Sequence, residues 1–262
     1  MEKVVTRGFI LIAIFIGSWF LLQQINWISA LHLGSYKKIE LLKKAEKELG
    51  EMMILEMERD NERVTNDFVK ESVDSLVTRI CNANNIRTNN LRVYIFENSE
   101  VNAFALPDRQ LVIYTGLIDD TKNAEALSGV IAHELAHIEK DHVIQSLSRE
   151  LAISTLLTIT GNGSVIKDIM RTLSSNAFSR EMEKEADLTG LAYLEKAHID
   201  PKPMAEFLGL LDDGVPSGLE WLSTHPVSKD RKEYILKRIN AEKKDYQPII
   251  APSTWEQLKD SL

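Results

Sequence analysis

"VIAHELAHIEKDH", Val130 to His142, carries two histidines four apart with a glutamate directly after the first. On an α-helix, residues at that spacing project about 40° from each other. His133 and His137 therefore share a face, and two imidazole nitrogens so placed reach a single ion. Glu134 sits about 100° further round the axis, close enough to take a proton from a metal-bound water without binding the metal itself. The same pattern arises by chance in roughly one chain of this length in a hundred. The remaining sequence has to decide between a zinc-binding helix and an ordinary one.

The surrounding residues read as helix. Asp120 or Thr121 offers a cap, and Ala124, Leu127, Ile131, Leu135 and Ile138 keep an apolar face. If the helix continues, His142 falls about 140° from His137 and reads as a surface or supporting group. A hydrolytic zinc needs a third protein ligand and an open fourth position. A histidine six residues after the second, with a glycine between, is one familiar solution, but Lys140 and Val143 occupy those positions. The other solution takes a carboxylate from a separate helix. "SREMEKEAD", Ser179 to Asp187, is the downstream helical stretch dense in carboxylates near small residues. It offers two pairs at i, i+4 spacing, Glu183 with Asp187 and Glu181 with Glu185. Helix geometry alone does not choose between them, and a solvated charged face is the plain alternative.

Upstream, the period changes from helical to alternating. "LRVYIFEN" and "QLVIYTGLI" are rich in β-branched and aromatic residues, and "VNAFALPD" lies between them with Pro107-Asp108-Arg109 as a turn. Two or three antiparallel strands are expected. An exposed edge at Val101, Asn102, Ala103, Phe104 and Ala105 has the character to pair with an extended peptide, and a structural hairpin closing the core explains it equally well. The fold class expected is mainly α with a small antiparallel sheet, an α+β arrangement.

The N-terminus is directed to a membrane. "MEKVVTR" precedes "GFILIAIFIGSWFLL", and apolar character continues to Leu33, long enough for a hydrocarbon core of about 30 Å. An uncleaved signal-anchor is the preferred reading, because Ile28 is large for the position before a cleavage at Ala30. Lys3 and Arg7 precede the span and Lys37, Lys38, Lys43 and Lys44 follow it, so the basic residues do not by themselves export the C-terminal part. The expected organisation is an anchor at 1–33, a solvated helical stalk at 34–64, one catalytic-sized domain at 65–243 and a surface tail at 244–262. "LAISTLLTIT", 151–160, is too short to span a bilayer and reads as core helix or flap.

Composition removes other classes. The net charge is −8, with basic residues interleaved among acidic ones, which argues against nucleic acid as a partner. One cysteine, Cys81, permits no intrachain disulfide. It reads as a packed helix residue. The tally of 44% hydrophobic residues is that of a chain with a real core.

"HELAH", then "SREMEKEAD", with "VNAFALPD" and "TGL" before them and "STHPVSKDR" after, resembles the zinc metalloendopeptidases of the HtpX and CAAX prenyl protease family, particularly small bacterial members with one catalytic domain. The likeness runs from about Asp67 to Ile239. It implies a zincin-like domain in which the HExxH helix packs on a second, Glu-bearing helix. It further implies one Zn2+ per chain held by His133, His137 and Glu183, with Glu134 as general base and Asp187 orienting a ligand histidine. His225 and Arg231 are implied as groups opposite the metal, steadying an oxyanion, with closure of the fourth metal position as an alternative role for His225. Unfolded or misassembled envelope proteins are the implied substrates. The implied place is the bacterial cell envelope, membrane-anchored with an extracytoplasmic catalytic domain. A metal-holding but catalytically silent peptide-binding scaffold is the competing expectation.

Overall fold

The computed structural model describes residues 27–150, 178–208, 221, 225, 229–241 and 246–262. The apolar stretch before Trp27 and the "LAISTLLTIT" segment lie outside them. Among the described residues, no helix is long and apolar enough to cross a membrane. Contacts divide the chain into two compact units, Met1–Lys44 and Ala45–Leu262. The second holds the sheet, the candidate site and every side-chain contact described below.

The described elements run α1 (Trp27–Asp60), β1 (Glu62–Arg63), α2 (Asp67–Asn84), β2 (Arg92–Glu97), β3 (Ala103–Leu106), β4 (Gln110–Tyr114), α3 (Thr115–Asp120), α4 (Ala124–Glu139), α5 (His142–Glu150), α6 (Arg180–Lys196), α7 (Lys202–Phe207), α8 (Lys229–Ala241) and α9 (Pro252–Lys259). The chain is mainly helical with one four-stranded sheet, ordered β1-β2-β4-β3. The sheet is mixed where an antiparallel one was expected. β3 and β4 form the antiparallel hairpin, with Ala105 opposite Leu111, but β2 and β4 run parallel, with Val93 opposite Leu111. β3 returns to the far side of β4 instead of sitting between β2 and β4. Every residue of β4 is buried, as suits a central strand, and β3 is left as an edge. At the hairpin turn, Asp108 and Arg109 both adopt left-handed backbone, which matches the twist of the strands they join.

Two segments expected at the surface belong to the core. From Ala45 onward α1 is not a solvated stalk: Leu49, Met53, Ile54 and Met57 are buried. The helix lies against the hairpin turn at Gly50, where a Cβ would come within 2.6 Å of the Pro107 carbonyl oxygen. Glu46 Oε1 accepts a hydrogen bond from the Asp108 backbone N–H at 3.1 Å. The C-terminal tail likewise folds into α9 and buries Trp255 and Leu258. Each such side chain contributes roughly 1.5–3 kcal/mol on leaving water, an apolar gain that periodicity alone did not assign to a partner surface.

α4 is buried from Ala124 to Ile138, the signature of a helix enclosed on all sides. Its cap is Asn123, whose side chain accepts from Ala126 N at 2.9 Å. Thr121, one of the expected caps, instead closes α3, its hydroxyl donating to the Leu117 and Ile118 carbonyls. α6 begins at Ser179, which accepts from Met182 N. Its inward residues are Met182, Glu183, Ala186, Asp187, Gly190, Leu191 and Leu194. α6 meets α4 at Gly190, where a Cβ would lie 3.1 Å from His133 N and 3.2 Å from Ala132 C. Gly190→Val forces the helices apart. It is expected to cost about 1–3 kcal/mol by overpacking and to lower zinc stoichiometry, read by urea unfolding and by elemental analysis of the purified protein.

Candidate metal centre

α4 supplies His133 and His137, α6 supplies Glu183, and His225 arrives from the chain ahead of α8. One ligand atom from each lies within 4.8 Å of the others, and all four residues are buried. His137 Nε2 faces His133 Nε2 at 2.9 Å, and His225 Nδ1 lies 3.2 Å from His133 Nε2. Glu183 Oε1 is 2.9 Å from His225 Nδ1 and 3.4 Å from His137 Nε2. Three imidazole nitrogens and one carboxylate oxygen thus turn lone pairs toward one point, the borderline-soft N/O donor set that zinc takes.

The electrostatics suit a cation. Burial holds the His137 imidazole well below its ordinary value, keeping it neutral and able to donate a lone pair. Burial alone would raise Glu183, but the charge of His225, then hydrogen bonds from His137 and His225, bring it well below the usual carboxylate range. His225 is drawn above its ordinary value despite burial, by the Glu183 and Glu134 carboxylates. A bound cation competes directly with that proton.

Glu134 stands beside the cluster and outside it. Its Oε1 accepts from Trp221 Nε1 at 2.8 Å and lies 3.3 Å from His225 Nε2. Its Oε2 accepts from the backbone N–H of Ala105 at 3.0 Å. The outer edge of β3 therefore faces the carboxylate. Of the expected edge, Val101 O accepts from Trp221 N at 3.2 Å, Asn102 O accepts from Tyr114 N at 3.1 Å, Ala103 and Ala105 are buried, and Phe104 is half-buried against Tyr114.

Asp187 and Arg231 form the support behind the cluster. Asp187 Oδ1 lies 3.0 Å from His133 Nδ1. Arg231 Nε and Nη2 donate to the two Asp187 oxygens, each at 2.8 Å, and Tyr234 OH donates to Oδ2. Arg231 Nη1 donates to the His225 carbonyl at 2.6 Å and lies 3.2 Å from Glu183 Oε2. Only 2% of Arg231 is exposed. Burial raises Asp187, but the Arg231 charge and the His133 contact bring it below its ordinary value. The rival acids Glu181 and Glu185 are exposed on the opposite side of α6.

Trp221 and Tyr234 were not singled out in the sequence, although the first lies four residues before His225 and the second three after Arg231, spacings at which helical neighbours meet. Phe178 was also missed. Its ring packs on His137 at 3.9 Å between centroids, and it directly precedes the Ser179 cap.

A buried three-imidazole, one-carboxylate centre with a second carboxylate beside it and a sheet edge against that carboxylate defines a metal-dependent hydrolase of the HExxH class. The profile described as Peptidase family M48 matches residues 68–239, well over half of the chain. The chain belongs to peptidase family M48, and its cofactor is zinc. It is 26% identical to the beta-barrel assembly-enhancing protease of Yersinia pestis over 74% of its own length and 44% of that protein. It is 30% identical to the putative beta-barrel assembly-enhancing protease of Vibrio cholerae over 68% of its length and 40% of that protein. It is 34% identical to the mitochondrial metalloendopeptidase OMA1 of Arabidopsis thaliana over 55% of its length and 30% of that protein. The chain thus spans less than half the length of these relatives. The narrower likeness to HtpX and CAAX prenyl proteases gives way to this broader membership.

Asp187→Ala leaves the Arg231 guanidinium buried without its main partner and is expected to cost about 3–5 kcal/mol, measured by urea unfolding. Because Asp187's folded value lies below its unfolded one, its contribution is complete above the ordinary carboxylate value of about 3.9. It is lost as pH falls through the depressed folded value. The stability gap between wild type and variant is expected to close over that acid window.

Proposed function

We propose that this chain is a membrane-tethered, zinc-dependent endopeptidase that cleaves unfolded or misassembled proteins of the bacterial cell envelope. The observation that carries the reading is the place of Glu134. Its carboxylate lies between the four-donor cluster and an N–H on the outer edge of β3, where an extended peptide would bring its scissile carbonyl. When bound by His133, His137 and Glu183, zinc supplies Lewis-acid polarisation and an acidified water. Glu134 takes the proton from the attacking water and passes it to the leaving amine. The edge from Val101 to Ala105 aligns the substrate by main-chain pairing.

His225 takes the alternative of its two expected roles, and Arg231 is assigned differently from its expected one. The His225 Nδ1 distances support a fourth donor beside His133, His137 and Glu183, a place from which His225 would have to withdraw for a bound metal to keep a position open to water or substrate. The Arg231 guanidinium is engaged by Asp187, Glu183 and the His225 carbonyl, which supports an anchor for the ligand carboxylate and its backing acid. An oxyanion contact would need a donor directed to the substrate.

The envelope setting draws on the beta-barrel assembly-enhancing proteases among the relatives, and the tether on the apolar N-terminal stretch. A fusion-reporter topology assay is the measurement for the side of the membrane that carries the domain.

Glu134→Gln is expected to retain one zinc per chain while cleavage of unfolded casein falls by about 10²–10⁴-fold. A strong chelator is expected to abolish cleavage in the wild type and added zinc to restore it. A wild type that holds zinc and cleaves neither casein nor a broad peptide library overturns the protease reading in favour of a scaffold.

A further inference from the structure

The two ligand histidines of α4 are backed in unlike ways. His133 has a carboxylate behind it, Asp187. Behind His137 stands a second imidazole, His142, buried like the ligands and with its Nδ1 3.0 Å from His137 Nδ1. A helix continued past His137 would have carried His142 away from the site. The chain instead ends α4 at Glu139, passes through left-handed backbone at Asp141 (φ 55°) and starts α5 at His142, which brings that ring back onto His137 at 5.0 Å between centroids. The other nitrogen of His142, Nε2, lies 3.5 Å from Glu185 Oε2, and Glu185 Oε1 accepts from Lys140 Nζ at 2.7 Å.

Two neutral imidazole nitrogens at 3.0 Å require one proton between them. His137 presents Nε2 to the cluster as a lone pair, so its proton resides on Nδ1 and that N–H donates outward. His142 must then accept on Nδ1 and carry its own proton on Nε2, the atom that faces the Glu185 carboxylate. Every proton position follows from the lone pair at His137 Nε2, and each acceptor stands where it is needed.

We propose that His142 is a positioning residue for the zinc site: its Nδ1 holds His137 in the metal-binding tautomer and orientation, with Glu185 fixing the tautomer of His142 in turn. The proposal rests on His137 being a zinc ligand. It gives α6 a second task, since the acid pair on its exposed face, which takes no part in the cluster, contributes Glu185 to this chain of contacts. Metal-bound imidazoles are supported in this way by groups whose removal weakens binding about 10–100-fold.

The test uses the whole 262-residue chain in detergent micelles and measures zinc affinity by competition with a chromophoric chelator. His142→Leu fills similar space without an acceptor and is expected to weaken zinc binding about 10–100-fold, with the urea midpoint of the zinc-free protein unchanged. His142→Asn places a side-chain oxygen near the position of Nδ1 and is expected to recover most of the affinity. Equal zinc affinity in wild type and His142→Leu overturns the proposal, as does an asparagine variant as weak as the leucine one. If the leucine variant fails to fold, nitrogen-15 shifts of the zinc-loaded wild type decide: His142 as the Nε2–H tautomer supports the proposal, and the Nδ1–H tautomer or an imidazolium overturns it. A wild type that binds no zinc refutes the metal-site reading itself, an outcome distinct from tight binding that ignores residue 142.

Discussion

Two helices cross at Gly190 with no side chain between them, and the functional part of the molecule depends on that approach. A Cβ there would press on the backbone of Ala132 and His133. Because it is missing, α6 settles close enough for Glu183 to reach the same point as His133 and His137, and for Asp187 to stand behind His133. Protein interiors deform little at such contacts, so the crossing sets the distances among the donors as firmly as the donors' own chemistry does.

Around the crossing, charge is buried in compensated layers. The inner layer is the donor cluster, in which a carboxylate and three imidazoles are buried together. The outer layer is Arg231, which bridges Asp187, Glu183 and the His225 carbonyl and leaves no face for solvent. Isolated buried charges of this kind would be strongly unfavourable. Held together, the opposite charges offset one another, and the same contacts that make burial tolerable orient the donor side chains. The sheet completes the site from the other side: β3, displaced to the edge by the parallel pairing of β2 and β4, directs the Ala105 N–H at Glu134.

Much of the centre was legible because its chemistry is local. His133, Glu134 and His137 lie within one and a half turns of one helix, so their common face follows from backbone geometry. The resemblance to a known peptidase family then pointed to Glu183, Asp187, His225 and Arg231, and all of them meet in the structure. Contacts between segments far apart in sequence left weaker traces. Leu49, Met53 and Met57 have helical spacing that fits a stalk as well as a docked helix, and Trp255 in a proline-punctuated tail gave no hint of a partner. The parallel β2–β4 pair was missed because three short strands in sequence read most simply as a meander, and periodicity carries no information on pairing direction. Of the two readings of His142, surface or supporting group, burial against His137 removes the first, which had assumed that α4 continues past Lys140.

The sequence by itself determined that two imidazoles share a helix face with a carboxylate beside them, that a second helix offers acids at matching spacing, and that a single cysteine permits no intrachain disulfide. Only the tertiary structure decided which acids turn inward. Glu181 and Glu185 have the same spacing as Glu183 and Asp187, and what distinguishes the pairs is the rotation of α6 about its axis. That rotation places Gly190 at the close approach to α4, a packing requirement between elements distant in sequence that the spacing of the acids does not encode.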